Sequence, residues 1–145
     1  MNIIIQNNDN QINNKNCDLS IIIINWNAAG VISNCLESIK NADGNISYET
    51  LLVDNASTDN SIDLIRSHYP WVHLITNEKN IGFARANNLA IERTRGRYLL
   101  LLNPDTEIYP QALRKLLNYA DNHLEIGCIG PKILNPDYSV QRSCW

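Results

Sequence analysis

In the stretch "YLLLLNPDTEIYP", Tyr98 to Pro110, four consecutive leucines run straight into Asn103-Pro104-Asp105-Thr106. A strand with one wet face alternates apolar and polar residues. A run this uniformly apolar suits a strand buried on both faces, as in a parallel sheet covered by helices on each side. The run stops in a proline-containing turn that presents an amide and a carboxylate. Turn chemistry accounts for the proline and the asparagine. The aspartate needs the rest of the chain.

The same rhythm extends in both directions. "LSIIIINW" (Leu19–Trp26) and "YETLLVD" (Tyr48–Asp54) predict two further strands, and "VHLIT" (Val72–Thr76) a third. Between them, Ile32, Cys35, Leu36 and Ile39 recur at helical spacing in a segment ending near Asp43-Gly44. Ile62, Ile65 and Tyr69 mark a short helix closed by Pro70, and Phe83, Ala86, Ala90 and Ile91 another, with Gly96 past its end. After the strand "RYLLLL", Leu113, Leu116, Leu117 and Ala120 predict a helix that Pro110 is placed to start. "IGCIG" (Ile126–Gly130) predicts a fifth strand. Alternating strands and helices imply an α/β fold: three layers, α/β/α, around a mostly parallel sheet. Residues 18–145 read as one unit, with no internal repeat or linker.

The totals narrow the partners. A chain of 145 residues with 44% hydrophobic and 19% charged content has enough apolar material for one real core. A formal net charge of −3 and the lack of any basic run argue against nucleic acid as a partner. The four cysteines (Cys17, Cys35, Cys128, Cys144) show no C-x-x-C and no zinc spacing, which reads as free thiols in a reducing compartment. Residues 1–17, opening "MNIIIQNNDNQINNKN", read as a disordered, solvated tail without the features of a signal peptide. No stretch approaches the roughly 20 apolar residues of a membrane span. The expected location is therefore cytoplasmic, with peripheral association at the inner face of the membrane left open.

In open α/β sheets, ligands bind beyond the carboxyl ends of the strands. That rule selects Asn25-Trp26-Asn27, Asp54-Asn55 and Asn103-Pro104-Asp105, all polar and all ending a strand. Asp54 can accept a hydrogen bond from a nucleobase N–H or a ribose hydroxyl, while Ser57 to Ser61 read as helix entry. Trp26 is either core or a flat wall for a base; stacking of that kind is worth about 1–3 kcal/mol in nucleic-acid systems. Gly82, in "NEKNIGFARANN" (Asn77–Asn88), is either a loop glycine or a point where backbone N–H groups approach phosphate. Asp105 is either a local cap or, with Asn103, an oxygen ligand for Mg²⁺ or Mn²⁺ shared with a substrate diphosphate, and the ligand reading explains it better. The second copy of the motif, Asn135-Pro136-Asp137, reads as a turn. Neither G-x-G-x-x-G nor G-x-x-x-x-G-K-[ST] occurs.

Taken in order, "SIIIINWN", "LLVDNASTDNS", "NEKNIGFARANNLAI" and "LLLLNPDTEI" resemble family 2 glycosyltransferases of the GT-A fold, and most nearly their rhamnosyltransferase-like bacterial branch. The resemblance runs from about Asp18 to the end. It implies that Trp26, Asn27, Asp54, Asn55, Gly82, Asn88 and Asn103 bind a nucleoside-diphosphate sugar, a UDP- or dTDP-sugar. It also implies that Asn103 and Asp105 occupy the D-x-D position, where a divalent metal, Mg²⁺ or Mn²⁺, bridges to the diphosphate. Asp54-Asn55 stands where many relatives carry two aspartates, and Asn103 replaces the first carboxylate of D-x-D; both variants occur in the named branch. The implied reaction is inverting transfer of the sugar to a saccharide or lipid-linked acceptor in cell-surface polysaccharide synthesis. Family members continue beyond this point into an acceptor-binding half that supplies the general base, so 18–145 reads as an N-terminal donor-binding part. A sugar nucleotidyltransferase would need a glycine-rich loop after the first strand, which "NWNAAGVI" is not; a nucleotide-binding module without catalysis is the other alternative.

Overall fold

The computed structural model describes residues 5–7, 17–42 and 45–141. Five strands and four helices follow one another as β1 (Ile5–Asn7), β2 (Cys17–Asn25), α1 (Ile32–Ala42), β3 (Tyr48–Asp54), α2 (Ser61–His68), β4 (His73–Thr76), α3 (Phe83–Ile91), β5 (Gly96–Leu102) and α4 (Ala112–Asp121). They form one sheet in the order β1-β5-β2-β3-β4. The strands β5, β2, β3 and β4 are mutually parallel, and β1 adds antiparallel to the β5 edge. The α/β/α architecture with a mostly parallel sheet agrees with the sequence pattern.

The isoleucine run explains the layering. Successive side chains of a strand point to opposite faces, so β2 feeds two cores at once. Leu19, Ile21 and Ile23 join Cys35, Leu36 and Ile39 of α1, Ile65 of α2, and Leu113 and Leu117 of α4 on one face. Ile22 and Ile24 meet Ala86 and Ala90 of α3 on the other. Three helices thus cover one face and a single small-residue helix the other. Within α3 the register differs from the apolar spacing: Phe83 is exposed, and Asn87 is buried instead. The Asn87 amide Nδ2 satisfies itself locally by donating to the carbonyl of Phe83 at 2.9 Å.

Several expected boundaries move. Ile126–Gly130 is not a strand; the β5 edge it would join is occupied by β1, with Ile5 opposite Leu100. Part of the stretch read as a tail is therefore sheet, whereas residues 1–4 and 8–16 lie outside the described residues, as do Asp43-Gly44 and Cys144. Gly96 lies past the end of α3, as expected, and is also the residue that opens β5. Pro110 precedes α4 by two residues, and Gln111, at φ 66°, leads into the helix. Asn135-Pro136-Asp137 is the expected turn: the Tyr138 N–H donates to the carbonyl of Asn135 at 2.9 Å, and Leu134 bridges to Val140.

At the amino ends of the strands, a polar cluster ties β5 to the centre. The Ser20 hydroxyl donates to Glu49 Oε1 at 2.6 Å and accepts from the Gly96 N–H at 2.8 Å. Arg95 closes on Glu49 Oε2 through Nε at 3.1 Å and Nη2 at 3.0 Å. Gly96 cannot be anything larger, since a Cβ there would lie 2.4 Å from the Ser20 nitrogen. Burial alone would raise the Glu49 pKa, but the hydrogen bonds from Ser20 and Arg95, with the Arg95 charge, outweigh it and hold the carboxyl below its ordinary value. A carboxyl depressed in the folded state contributes stability above its unfolded value, and that contribution disappears as pH falls through the folded value. Thermal unfolding should accordingly show the wild-type chain losing stability below about pH 4.3, and Glu49→Gln should flatten that limb of the profile.

Candidate functional site

The carboxyl ends of β5, β2, β3 and β4 lie side by side, because Asn25 is in register with Asp54 and Asp54 with Thr76. Strands stand about 4.8 Å apart, so the turn after β5 and the end of β3, two strands away, are about 10 Å apart along one rim. All three polar strand ends singled out in the sequence fall on this rim.

Asp54 is fully buried. Its Oδ1 accepts from Asn25 Nδ2 at 2.7 Å and from the Ser57 hydroxyl at 2.5 Å, and its Oδ2 accepts from the Ser57 N–H at 2.9 Å. Asn25 Nδ2 reaches Ser61 Oγ as well, at 2.9 Å. The Ser61 hydroxyl in turn donates to Asp59 Oδ1 at 2.5 Å, and Asp59 Oδ2 accepts from the Ala29 N–H at 2.9 Å. Two more bonds cross between the loops after β2 and β3: Asn27 N–H to Ser57 Oγ at 2.9 Å, and Thr58 N–H to Asn27 Oδ1 at 2.8 Å. Both loops are turned sharply, with Asn27 at φ 52° and Ala56 at φ 62°. The helix-entry reading of Ser57 to Ser61 is thus corrected in detail. Asn60 occupies the N-cap without a side-chain bond, Asp59 receives the Ser61 N–H at 3.1 Å, and Ser57 serves Asp54.

The other assigned residues divide into outward and inward sets. Trp26 is 60% exposed, which removes its reading as a core residue. Asn27 and Asn88 are exposed, and Asn88 lies on α3. Asn55 is buried, its Oδ1 accepting from Asn77 Nδ2 at 2.9 Å, so it braces the end of β4 and does not face the rim. Gly82 is at φ 82°, and its N–H is already given to Asn80 Oδ1 at 2.9 Å. It needs to be glycine for its backbone conformation. Asn25, Ser57, Asp59 and Ser61 form the frame under the rim; the signal for Asn25 in the sequence is a lone amide closing an isoleucine strand.

At the β5 end, the turn is made by the Thr106 N–H donating to the Asn103 carbonyl at 3.1 Å. Asn103 is half-buried and Asp105 exposed. Asp105 forms no hydrogen bond or ion pair among the described residues. Beneath it, Cys35 is fully buried and its thiol is pushed up to about 12, first by burial and then by the Asp105 charge. It remains an S–H donor, 3.7 Å from the Asn103 carbonyl oxygen. Cys17, Cys35 and Cys128 are all free thiols. No group of three or more His, Cys, Asp or Glu gathers into a metal position among the described residues. One free carboxylate beside an amide suits a hard cation that takes its remaining oxygens from a bound ligand, so these residues fit a shared divalent site and not a protein-only one. No helix among the described residues is long and apolar enough to cross a membrane.

A mostly parallel sheet between helices, with polar residues at its carboxyl ends, defines an α/β domain of the open-sheet class, in which ligands bind beyond the strand ends. Residues 20–141 match Glycosyl transferase family 2, and the chain belongs to that family. It is 31% identical over 110 residues to the uncharacterized glycosyltransferase YibD of Escherichia coli, across 74% of this chain and 31% of that one. An N-acetylglucosaminyl-diphospho-decaprenol L-rhamnosyltransferase of Mycobacterium tuberculosis is 32% identical over 104 residues, 64% of this chain and 34% of the relative. Among solved structures, S. aureus TarS 1–349 in complex with UDP-GlcNAc superposes with a TM-score of 0.65 at 23% identity, over 74% of this chain and 32% of that one. The mannosyltransferase PcManGT from Pyrobaculum calidifontis, in complex with GDP-Man and Mn²⁺, gives 0.60 at 26% identity over 70% of this chain and 31% of that one. The GT-A fold is thereby established. This chain spans about a third of the length of each of these matched chains.

The rim separates into residues the fold needs and residues it does not. Asp54→Ala would leave the Asn25 amide and the Ser57 N–H without their acceptor, at a cost of about 1–3 kcal/mol. Trp26→Ala removes an exposed ring and should stay within about 0.5 kcal/mol of wild type. Urea unfolding of the two ligand-free variants checks both.

Proposed function

We propose that this chain is the donor-binding part of a glycosyltransferase that moves a sugar from a nucleoside diphosphate, UDP or dTDP, to a saccharide or lipid-linked acceptor. Transfer proceeds with inversion and serves cell-surface polysaccharide synthesis. The rhamnosyl-transferring branch is the nearest fit to the wording of the motifs, including Asp54-Asn55 and Asn103. The observation that carries this reading is the alignment of the three polar strand ends on one rim, with Asp105 after β5 at one end, Trp26 exposed after the middle strand β2, and Asp54 closing β3 at the other.

The residues divide the donor between them. Trp26 stacks on the base, and Asn27 borders it. Asp54 holds a base N–H or a ribose hydroxyl by exchanging the Ser57 hydroxyl for the ligand, a bond within its own loop whose loss leaves the Asn25 bond across the strand pair intact. Asn55 acts from beneath by fixing the neighbouring loop. Gly82 and Asn88 flank the diphosphate at the entrance to α3, whose first turn carries no acidic residue and whose N-terminal dipole favours an anion. Asn103 and Asp105 would hold Mg²⁺ or Mn²⁺ against the diphosphate. When bound, the cation neutralises charge on the departing diphosphate.

Nucleotide binding tests the assignment. A ligand at a hundred times its dissociation constant stabilises the fold by about 2.7 kcal/mol, which raises Tm by roughly 5–10 °C for a domain of this size. Thermal shift with UDP and dTDP, with and without Mn²⁺, should show a metal-dependent increment. Asp105→Ala should remove it while leaving the ligand-free Tm unchanged, because the side chain is exposed and makes no hydrogen bond or ion pair among the described residues. Trp26→Ala should instead weaken binding of UMP or dTMP without metal. Intact binding in both variants would sink the reading.

Transfer also needs a base within about 3 Å of the acceptor hydroxyl. The carboxylates at the strand ends are Asp54, which is buried, and Asp105, which is assigned to the cation. Asp137 is held in its own turn by the Ser139 hydroxyl at 2.6 Å and N–H at 2.9 Å. The 145-residue chain should therefore bind donor yet turn over far more slowly than about 1 s⁻¹, the low end for a complete enzyme. Release of UDP from UDP-sugars in the presence of saccharide and lipid-linked acceptors measures this, and turnover at that rate or faster would reveal a base among these residues.

A further inference from the structure

The segment between β5 and α4, residues 103–111, carries Asn103 and Asp105 but contains no helix or strand. It is fastened to one face of α1. Cys35 Sγ donates to the Asn103 carbonyl oxygen at 3.7 Å, and Ser38 Oγ accepts from the Ile108 N–H at 2.9 Å. Asn34 Nδ2 donates to Glu107 Oε1 at 3.3 Å, and the Ala42 carbonyl accepts from the Gln111 N–H at 3.1 Å. Positions 34, 35, 38 and 42 fall on one side of a helix, so the contacts follow the segment from its first residue to its last.

Ser38 is the interior point of this seam. Its hydroxyl donates back to the Cys35 carbonyl at 2.7 Å, three residues earlier, which turns a lone pair towards the Ile108 N–H. The same bond couples it to the residue beneath Asn103. Within the segment the bonds are local: the Thr106 N–H donates to the Asn103 carbonyl at 3.1 Å, and at its end the Ala112 N–H donates to that of Tyr109 at 3.1 Å.

We propose that Ser38 and Cys35 of α1 are positioning residues for the cation end of the donor site. Neither touches the ligand. Together they fix where Asn103 and Asp105 stand, and so set the metal-dependent part of nucleotide binding. Misplacing a ligating group by about 1 Å is enough to cost a hundredfold in comparable positioned sites. The inference rests on the donor-site reading given above and adds residues to it that carry none of the expected ligand chemistry.

The test uses the 145-residue chain with UDP, with and without Mn²⁺, and with UMP in the absence of metal. Isothermal titration should show that Ser38→Ala lowers the Mn²⁺-dependent gain in UDP affinity at least tenfold while UMP affinity stays within twofold. Ser38→Thr, which keeps the hydroxyl, should recover most of the gain, and Cys35→Ser should retain more of it than Cys35→Ala. Hydrogen exchange gives a readout that needs no ligand: the Ile108 amide should exchange at least tenfold faster in Ser38→Ala, with the amides of Leu36 and Ile39 unchanged. An undiminished Mn²⁺ gain in Ser38→Ala would overturn the proposal, as would a parallel loss of UMP binding that Ser38→Thr does not rescue. A wild-type chain whose UDP affinity ignores Mn²⁺ would overturn the donor-site reading itself, and this inference with it, so the wild-type titration separates the two failures.

Discussion

The hydrogen bond from Asn25 Nδ2 to the buried carboxylate of Asp54 joins the ends of two neighbouring parallel strands. A carboxylate without partners in such a place would cost several kcal/mol. Every group around it is arranged to avoid that cost. Ser57 supplies two donors to Asp54, the Asn25 amide continues to Ser61, and Ser61 continues to Asp59, which reaches back to the loop after β2. The two loops are therefore one object. Trp26 and Asn27 sit on it, so their placement follows from a buried polar network and not from the apolar core below.

The two parts of the rim, the loops after β2 and β3 and the turn after β5, are built on different physics. Under Trp26, the support is a network of short side-chain bonds, and the backbone is held in left-handed turns at Asn27 and Ala56. Under Asp105, the support is a helix face meeting an irregular segment through a few single bonds, with the carboxylate itself left in solvent. A rigid wall suits a flat, neutral ligand such as a base. A lightly held, exposed carboxylate suits a group that completes its coordination only with the ligand present.

Much of this was legible along the chain. The run Ile21–Ile24 and the leucines of β5 mark strands buried on both faces, because no polar residue interrupts them, and α/β/α layering follows. The bounds of β3, Tyr48–Asp54, are those the residues suggest. The misreadings have local causes. Ile126–Gly130 has strand composition, but pairing depends on a free edge, and β1 holds it. Phe83 fits the apolar spacing of α3, yet α3 packs with its small residues, Ala86 and Ala90, against β2 and β3, which turns the phenylalanine outward.

For the site, the sequence by itself determined which residue types end the strands, since an apolar run that stops in Asn, Asp or Trp marks its own boundary. The four ordered motifs carry the family for the same reason: they are local strings. What only the tertiary structure decided is which of these side chains face outward. Asp54 and Asn55 look like rim residues in the sequence and are buried, whereas Trp26 reads there as either core or a wall for a base and is exposed. Burial at a strand end is set by whatever crosses it from elsewhere in the chain. Ser57 closes over Asp54, Asn77 reaches Asn55, and Cys35 and Ser38 come under Asn103 and Ile108 from some 70 residues away. Contacts at that separation leave no periodic trace, because each requires one donor meeting one acceptor and nothing of the residues between.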